Sequence, residues 1–511
     1  MRAWLIGSLI AVCWGGVVSA APEHPPLPQV VGPLPVTDRS YPFSAAAHQQ
    51  QPVDLAASGY VETEYLVSGQ ARVFDWPQAG QPQVLAKGSY ATRILVRRPL
   101  DARHFNGTVI VEPLNPSDDV DLPIMWAESY RQFMRDGVAW VGVTIKPNTI
   151  AALKRFDPVR YAKVSLPNPR PMPACADAQI NPLSRPTTVA DESGLAWDLL
   201  SQLGSLLKSS ASSNPIPWPV KRLYMTGQSQ TAGYARTYAS VFARTVAGTS
   251  GGPLYDAYLY SGSPPWQVPL NQCRADLPQG DSRLITPAVG VPVIEIFTQG
   301  DMGTNLATRR PDADTLGDRF RRYEVAGAPH VDPWEELSFA SDADRRRAST
   351  RDPRQLESSC QPANVTPTDF PNRFVFDAAW RNLDRWVRDN TPAPHGAPLA
   401  VKAQAGPFQP DNAFVTDSHG NAIGGVRSPA VEVPTARWVG AKSGGFSCMF
   451  IGYKYPFSPA QLAQLYPNQA AYRSSLRAAV ARLSAGRWLT PEDADEILRD
   501  ASKQAQAYRP K

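Results

Sequence analysis

Residues 222–233, Arg-Leu-Tyr-Met-Thr-Gly-Gln-Ser-Gln-Thr-Ala-Gly, constrain the fold more than any other stretch of the chain. Apolar residues come first, then Gly227-Gln228-Ser229-Gln230-Thr231, then a run of helical character over 232–247. A strand that passes through a tight turn into a helix, with serine at the apex, is a nucleophile elbow. The turn is strained, so its neighbours must be small. Gly227 supplies a permissive backbone before the serine, and Ala232 and Gly233 let the helix pack close behind it. The usual pattern is Gly-x-Ser-x-Gly; Thr231 takes the last place here, so support for the motif must come from the rest of the chain.

That support starts with alternation of strands and helices. Strands are expected at 61–74, 90–96, 108–112 and 138–145, with a helix over 122–135 closed by Asp136-Gly137. A helix over 191–208, with Leu195, Leu199, Leu203 and Leu206 on one face, leads into the strand before Ser229. Further strands are expected at 255–260, 291–298 and 320–325. Near-continuous apolar strands alternating with helices imply a mostly parallel sheet with helices on both faces. Two stretches lack periodicity: the Pro-rich 147–188, read as a lid-like insertion, and 264–287. Beyond residue 330, a helix over 374–388, β-hairpins over 399–439 and a helical end opened by Ser458-Pro459 and Thr490-Pro491 make an appended α+β region. The expected organisation is an extended leader at 21–50, a main domain at 51–395, and a C-terminal subdomain at 396–511 packed on it.

The first twenty residues read as a secretory signal. Arg2 gives a positive start, 5–12 is apolar, and Val18-Ser19-Ala20 is a small-residue cleavage site. The apolar run is too short for a membrane span, and no later stretch has about eighteen uninterrupted apolar residues. Secretion or periplasmic export is therefore expected, with no integral membrane segment once the signal is cleaved near Ala20. Cys175, Cys273, Cys360 and Cys448 would remain, which in an oxidising compartment suggests two disulfides; of three connectivities, Cys175–Cys273 and Cys360–Cys448 is favoured. No Cys/His spacing suits a metal, and no cofactor is called for. The net charge of +5 comes without Lys/Arg clusters interleaved with aromatics, so nucleic acid is not an expected partner. Gly248 to Gly252 lacks the Gly-Lys-Ser/Thr of a phosphate loop.

Three loops that follow strands carry Ser229, Asp301 and His330, in the order serine, acid, histidine. A serine hydroxyl is weakly nucleophilic at neutral pH, so a neighbouring imidazole must take its proton. The acid would hold that imidazole in the right tautomer. Of the six histidines, His24 lies in the leader, His48 and His104 precede the middle of the sheet, and His395 and His419 lie far downstream. Asp301 competes with Asp312, Asp314, Asp332 and Glu295. An oxyanion would be held by the backbone N–H of Gln230 and a second donor from the loop after the strand at 108–112. Pro113 and Pro116 have no N–H, which leaves Leu114 or Asn115. Trp126 and Tyr130 are read as core.

The chain resembles a family of large secreted alpha/beta hydrolase domain-containing proteins with serine esterase character. The likeness rests on Gly107-Thr108-Val109-Ile110-Val111-Glu112-Pro113-Leu114-Asn115 followed by Trp126, and on Ala139-Trp140-Val141-Gly142-Val143. It continues in Asp157-Pro158-Val159-Arg160-Tyr161, Gly227-Gln228-Ser229-Gln230-Thr231, Gly424-Gly425-Val426-Arg427 and Leu465-Tyr466-Pro467. The resemblance implies an α/β-hydrolase fold, makes Thr231 normal in the elbow, and implies the triad Ser229, Asp301, His330; Gln299 departs from the acidic residue expected there. The expected activity is cleavage of small-molecule or polymeric carboxylic esters through an acyl-serine. The alternatives are an amidase or peptidase with the same triad, and a non-catalytic binding protein that keeps the fold.

Overall fold

The computed structural model describes residues 23–76, 82–170, 190–248, 251–272, 277–278, 280–349, 366–402, 413–441 and 450–507. The expected signal segment, the four cysteines of the expected disulfides and residues 171–188 of the Pro-rich insertion lie outside the described residues.

One ten-stranded sheet organises the molecule. Its strands are β1 (Gln29–Val31), β2 (Tyr60–Asp75), β3 (Gln83–Pro99), β4 (Thr108–Pro113), β5 (Ala139–Val143), β6 (Arg222–Gln228), β7 (Ala257–Ser261), β8 (Pro292–Thr298), β9 (Ala313–Thr315) and β10 (Asp318–Val325). They lie in the order β1-β2-β3-β5-β4-β6-β7-β8-β10-β9. The run from β5 to β10 is parallel, whereas β1, β2, β3 and β9 join antiparallel. The central parallel strands β4, β5 and β7 are largely apolar because both faces are covered, whereas β8 and β10 also bury charged residues that pair with one another, Glu295 with Arg322 and Arg322 with Glu324. In β6, Leu223 and Met225 enter one core while Tyr224 enters the other; in β7, Tyr258 and Tyr260 oppose Ala257 and Leu259.

Helices α1 (Ile124–Asp136), α2 (Pro147–Phe156), α3 (Leu195–Lys208) and α4 (Gln230–Phe242) follow in the chain. Short helices α5 (Met302–Asn305), α6 (Pro333–Leu337) and α7 (Asp342–Ala348) precede the long α8 (Arg373–Asp389). The four leucines expected on one face of α3 are all buried, against α4 and the sheet. On the opposite face, Phe133 of α1 packs edge-on against Trp380 of α8. Gly137 ends α1 in the left-handed region at φ 71°, where its N–H reaches Met134 and Phe133 carbonyls. A Cβ there would lie 1.9 Å from the His104 carbonyl oxygen, so glycine is required.

Two expectations are corrected. The lid-like insertion was expected without periodicity from residue 147, but 147–156 form α2. Pro147 suits the first helical turn, and Ile150, Leu153 and Phe156 bury one face. The hairpins expected over 399–439 are reduced, among the described residues, to isolated antiparallel bridges such as Val401–Phe414 and Thr416–Ala422, with one short strand. That strand, β12 (Ala436–Val439), pairs with β13 (Tyr453–Pro456), which pairs with β11 (Thr366–Pro367) in a separate three-stranded sheet. Turn residues set the chain reversals there, and among the described residues the pairing across them is short, with the Lys402 N–H donating to the Ala413 carbonyl and the Val415 N–H to the Ala400 carbonyl, both at 2.8 Å. The expected C-terminal helices begin as read. α9 (Pro429–Glu432) is followed by α10 (Pro459–Leu465), opened by a Ser458–Gln461 capping box, then α11 (Gln469–Ala485) and α12 (Pro491–Ala507). Leu476, Val480 and Leu483 of α11 pack with Phe374 of α8. Arg373 and Arg381 of α8 pair with Glu496 and Glu492 of α12 at 2.7 Å each. Among the described residues, no helix is long and apolar enough to cross a membrane.

A buried ionic network ties the leader to the sheet. Arg93, wholly inside, donates to Glu64 at 3.1 Å, to Asp121 at 2.8 Å and to the Phe43 carbonyl at 3.0 Å. Asp121 lies in the loop between β4 and α1, so this arginine fixes a loop at the carboxyl edge of the sheet. Glu64 also pairs with Arg160 at 2.5 Å, so removing Arg93 takes the guanidinium chiefly from Asp121. Arg93→Ala is expected to lose about 3–5 kcal/mol of unfolding free energy in urea titration, through Asp121 rather than through lost area.

Candidate active site

The elbow forms as its sequence requires. Ser229 joins β6 to α4 at φ 54°, ψ −121°, a conformation that costs a non-glycine residue about 1–3 kcal/mol. Its neighbours hold it there. The Ser229 N–H donates to the Ser261 carbonyl of β7 at 2.9 Å. A Cβ on Gly227 would lie 2.3 Å from the Thr231 carbonyl oxygen, so no side chain fits at that position. Thr231 fills the place where glycine is usual, and its hydroxyl laces the turn. It accepts from the Gln228 N–H at 3.2 Å and donates to the Gln228 carbonyl at 3.0 Å. Asn115 closes the other side, donating from Nδ2 to the same carbonyl at 2.8 Å.

Asp301 and His330 meet across two adjacent loops. The turn after β8 presents Asp301, whose Oδ2 accepts from the Thr298 N–H at 2.7 Å and hydroxyl at 2.8 Å. Its Oδ1 accepts from His330 Nδ1 at 2.5 Å. A carboxylate can only accept, so the Nδ1 proton is fixed and the Nε2 lone pair faces away from the acid. The histidine loop after β10 is tied down from behind. Gln299 Oε1 accepts from the Gly327 N–H at 2.8 Å, and Asn372 Nδ2 donates to the Pro329 carbonyl at 3.1 Å. Asp332 accepts from the Trp334 and Asn372 N–H groups at 2.7 and 2.8 Å. Burial pushes its carboxyl up to about 7, with Asp369 adding in the same direction. Glu128 and Glu335, buried behind this loop, are also raised well above the usual range, first by burial and then by the charge of Asp332.

Ser229, Asp301 and His330 thus stand at the carboxyl ends of β6, β8 and β10, the edge where α/β sheets place ligands. The competing acids are committed elsewhere: Glu295 pairs with Arg322 at 3.1 Å, and Asp312 and Asp314 contact His395 at 2.9 and 3.1 Å. Gln230 is the first residue of α4, so its N–H belongs to a helix N-terminus suited to negative charge. The second donor expected from Leu114 or Asn115 is corrected. The Leu114 N–H donates to the Val143 carbonyl and the Asn115 N–H to the Leu122 carbonyl, both at 2.9 Å. Both groups are spent on sheet and loop pairing; Asn115 serves the elbow through its side chain instead. The core reading of Trp126 agrees with its complete burial, and Tyr130 stacks on it at 5.9 Å.

Three neighbours were not singled out in the sequence. Gly262, at φ 62°, follows β7 and lies under the acid–histidine pair. A Cβ there would come within 2.9 Å of the His330 ring and 3.1 Å of Asp301 Oδ1. Its signal was a glycine at the end of a parallel strand beside the elbow. Phe450, from the C-terminal region, tilts against the His330 ring at 4.8 Å, while its carbonyl accepts from the Val331 N–H at 3.0 Å. No local pattern marks that contact. Gln228 reaches His330 with its side-chain amide, 3.1 Å from the backbone carbonyl and 3.3 Å from Nε2. Among the described residues, no group of three or more His, Cys, Asp or Glu residues is arranged to hold a metal ion.

A strand–serine–helix turn beside an acid–histidine pair, on a sheet of this order, defines an α/β-hydrolase fold. The family model described as alpha/beta hydrolase domain matches residues 30–499, and the chain belongs to that family. No curated protein matches it in sequence. Solved structures with likeness include a thermostable esterase from Pseudomonas putida, 12% identical, covering 58% of this chain and 83% of that one at a TM-score of 0.29. A fungal esterase structure from Rhizomucor miehei is 10% identical and covers 55% of this chain and 80% of its own, at 0.28. A dienelactone hydrolase from Anabaena variabilis is 11% identical, with 50% and 86% covered, at 0.24.

The strain at Ser229 has a measurable consequence. Glycine relieves the positive φ at some cost in chain entropy. Ser229→Gly should therefore unfold with about 1 kcal/mol more stability than Ser229→Ala in paired denaturant titrations.

Proposed function

We propose that this chain is an exported serine hydrolase that cleaves carboxylic esters through an acyl-serine. The observation that carries the reading is the short Asp301–His330 contact at 2.5 Å beside a serine held at φ 54° on a strand-to-helix turn. With its Nδ1 proton fixed by Asp301, His330 offers Nε2 as the base. Ser229 Oγ attacks the ester carbonyl carbon as His330 takes its proton, and Asp301 stabilises the imidazolium that forms. The tetrahedral oxyanion develops at the N-terminus of α4, where the Gln230 N–H donates to it. Collapse breaks the carbonyl–alkoxy bond, and His330 returns the proton to the departing alcohol. Water, deprotonated by His330, then attacks the acyl-serine, and Ser229 is regenerated.

The substrate class is a small-molecule or polymeric carboxylic ester. Export to the periplasm or the medium rests on the reading of residues 1–20, and paired Cys175–Cys273 and Cys360–Cys448 on the oxidising compartment that implies.

A fluorophosphonate probe tests the nucleophile. Wild type should be labelled, and Ser229→Ala should not; an unlabelled wild type, or a labelled Ser229→Ala, overturns the reading. A panel of matched aryl esters and aryl amides then separates the chemistries: faster amide turnover would replace ester hydrolysis with amide hydrolysis. Gly262→Ala should lower kcat on the order of 100-fold, because its methyl displaces the histidine and acid rather than any substrate contact.

A further inference from the structure

We propose that Gln228 is a positioning residue for His330, a role that rests on the serine-hydrolase reading above. The residue before the serine is 4% exposed and pairs with Ser261 at the end of β6. Its backbone is fixed on both sides. The N–H is held by the Thr231 hydroxyl, and the carbonyl accepts from that hydroxyl and from Asn115 Nδ2. An immobile main chain leaves the side chain as the adjustable part, and it extends to His330.

The orientation of the amide follows from its partner. Gln228 Nε2 lies 3.1 Å from the His330 carbonyl oxygen, which can only accept, so the NH2 end is the one that faces the histidine. The same NH2 lies 3.3 Å from His330 Nε2. Asp301 fixes the proton on Nδ1, so Nε2 carries the lone pair that accepts from Gln228. One amide thus grips the histidine at two points, the main chain and the ring. Asp301 holds the opposite ring nitrogen, Phe450 lies against the ring, and Gly262 leaves room at its edge. The nearest other ionisable side chain in sequence, Asp332, accepts from the Trp334 and Asn372 N–H groups, with Glu335 and Glu128 behind it.

This grip has two effects. It sets the imidazole plane beside the elbow, so that the ring does not swing about its bond to Cβ. It also occupies the lone pair that Ser229 needs, so the amide must release Nε2 when the serine proton is transferred. The bond to the His330 carbonyl lets it do so without losing its place. Gln228 makes no contact with the reacting carbonyl in this scheme; it acts through His330.

The test compares wild type with Gln228→Met, which keeps side-chain length and removes both donors, and Gln228→Glu, which keeps shape but cannot donate as a carboxylate. Thermal melts establish that each variant is folded. Both should lose about tenfold in kcat on an aryl ester, with KM within about twofold. The 15N resonance of the His330 Nε2 lone-pair nitrogen should move downfield in Gln228→Met, as that nitrogen loses its donor. A folded Gln228→Met with wild-type kcat and an unmoved Nε2 resonance overturns the proposal, as does a loss in KM alone. If Gln228→Met does not fold, Gln228→Glu decides: wild-type kcat there overturns it equally. Fluorophosphonate labelling of wild type keeps the two readings apart. An unlabelled wild type sinks the hydrolase reading itself, whereas a labelled wild type with an indifferent Gln228 sinks only the positioning role.

Discussion

The strained backbone at Ser229 is the constraint on which the surroundings depend. A non-glycine residue at φ 54° relaxes unless its neighbours over-determine it. Here they do so from three elements at once. β7 accepts the Ser229 N–H through Ser261, the first turn of α4 folds Thr231 back onto Gln228, and the loop after β4 sends Asn115 to the same carbonyl. Gly227 has no side chain because the helix backbone occupies the space one would need. The threonine that weakens the elbow as a pattern is, in the folded chain, one of the bonds that closes it.

The histidine side is built differently. The Asp301–His330 pair rests on two loops rather than one turn, and those loops are braced from outside the sheet. Gln299 ties the acid loop to the histidine loop, Asn372 at the start of α8 holds Pro329, and Phe450 covers the ring from the C-terminal region. The appended region therefore does more than pack on the sheet: it supplies one wall of the site. Behind the loop, Glu128, Asp332 and Glu335 lie close together and buried, which raises all three above the usual carboxyl range.

Much of this was legible in the chain. Parallel strands buried on both faces read largely as apolar runs, so β4, β5, β7 and β8 are located to within a few residues, while in β10 only Phe320, Tyr323 and Val325 mark the strand among charged neighbours. The order serine, acid, histidine selected Ser229, Asp301 and His330 from many polar residues. Legibility failed where meaning came from contact. α2 was hidden by the Pro-rich stretch that follows it. The bridges of 399–439 were read as hairpins because turn residues are visible and ladder hydrogen bonds are not. Leu114 and Asn115 were chosen by excluding prolines, but which backbone N–H groups a sheet consumes is a matter of register.

The sequence by itself determined the sheet, its helical cover and the elbow, because those follow from local patterns: hydrophobic period, glycine where no Cβ fits, and serine between a strand and a helix. Tertiary structure alone decided what surrounds the imidazole. Gln228, Gly262 and Phe450 come from separate segments of the chain, and nothing in their local sequence says that they meet at the His330 ring. Packing density is the physical reason. At a site this crowded, one methyl group on Gly262 would lie 2.9 Å from the His330 ring, a constraint that exists only once the strands lie side by side.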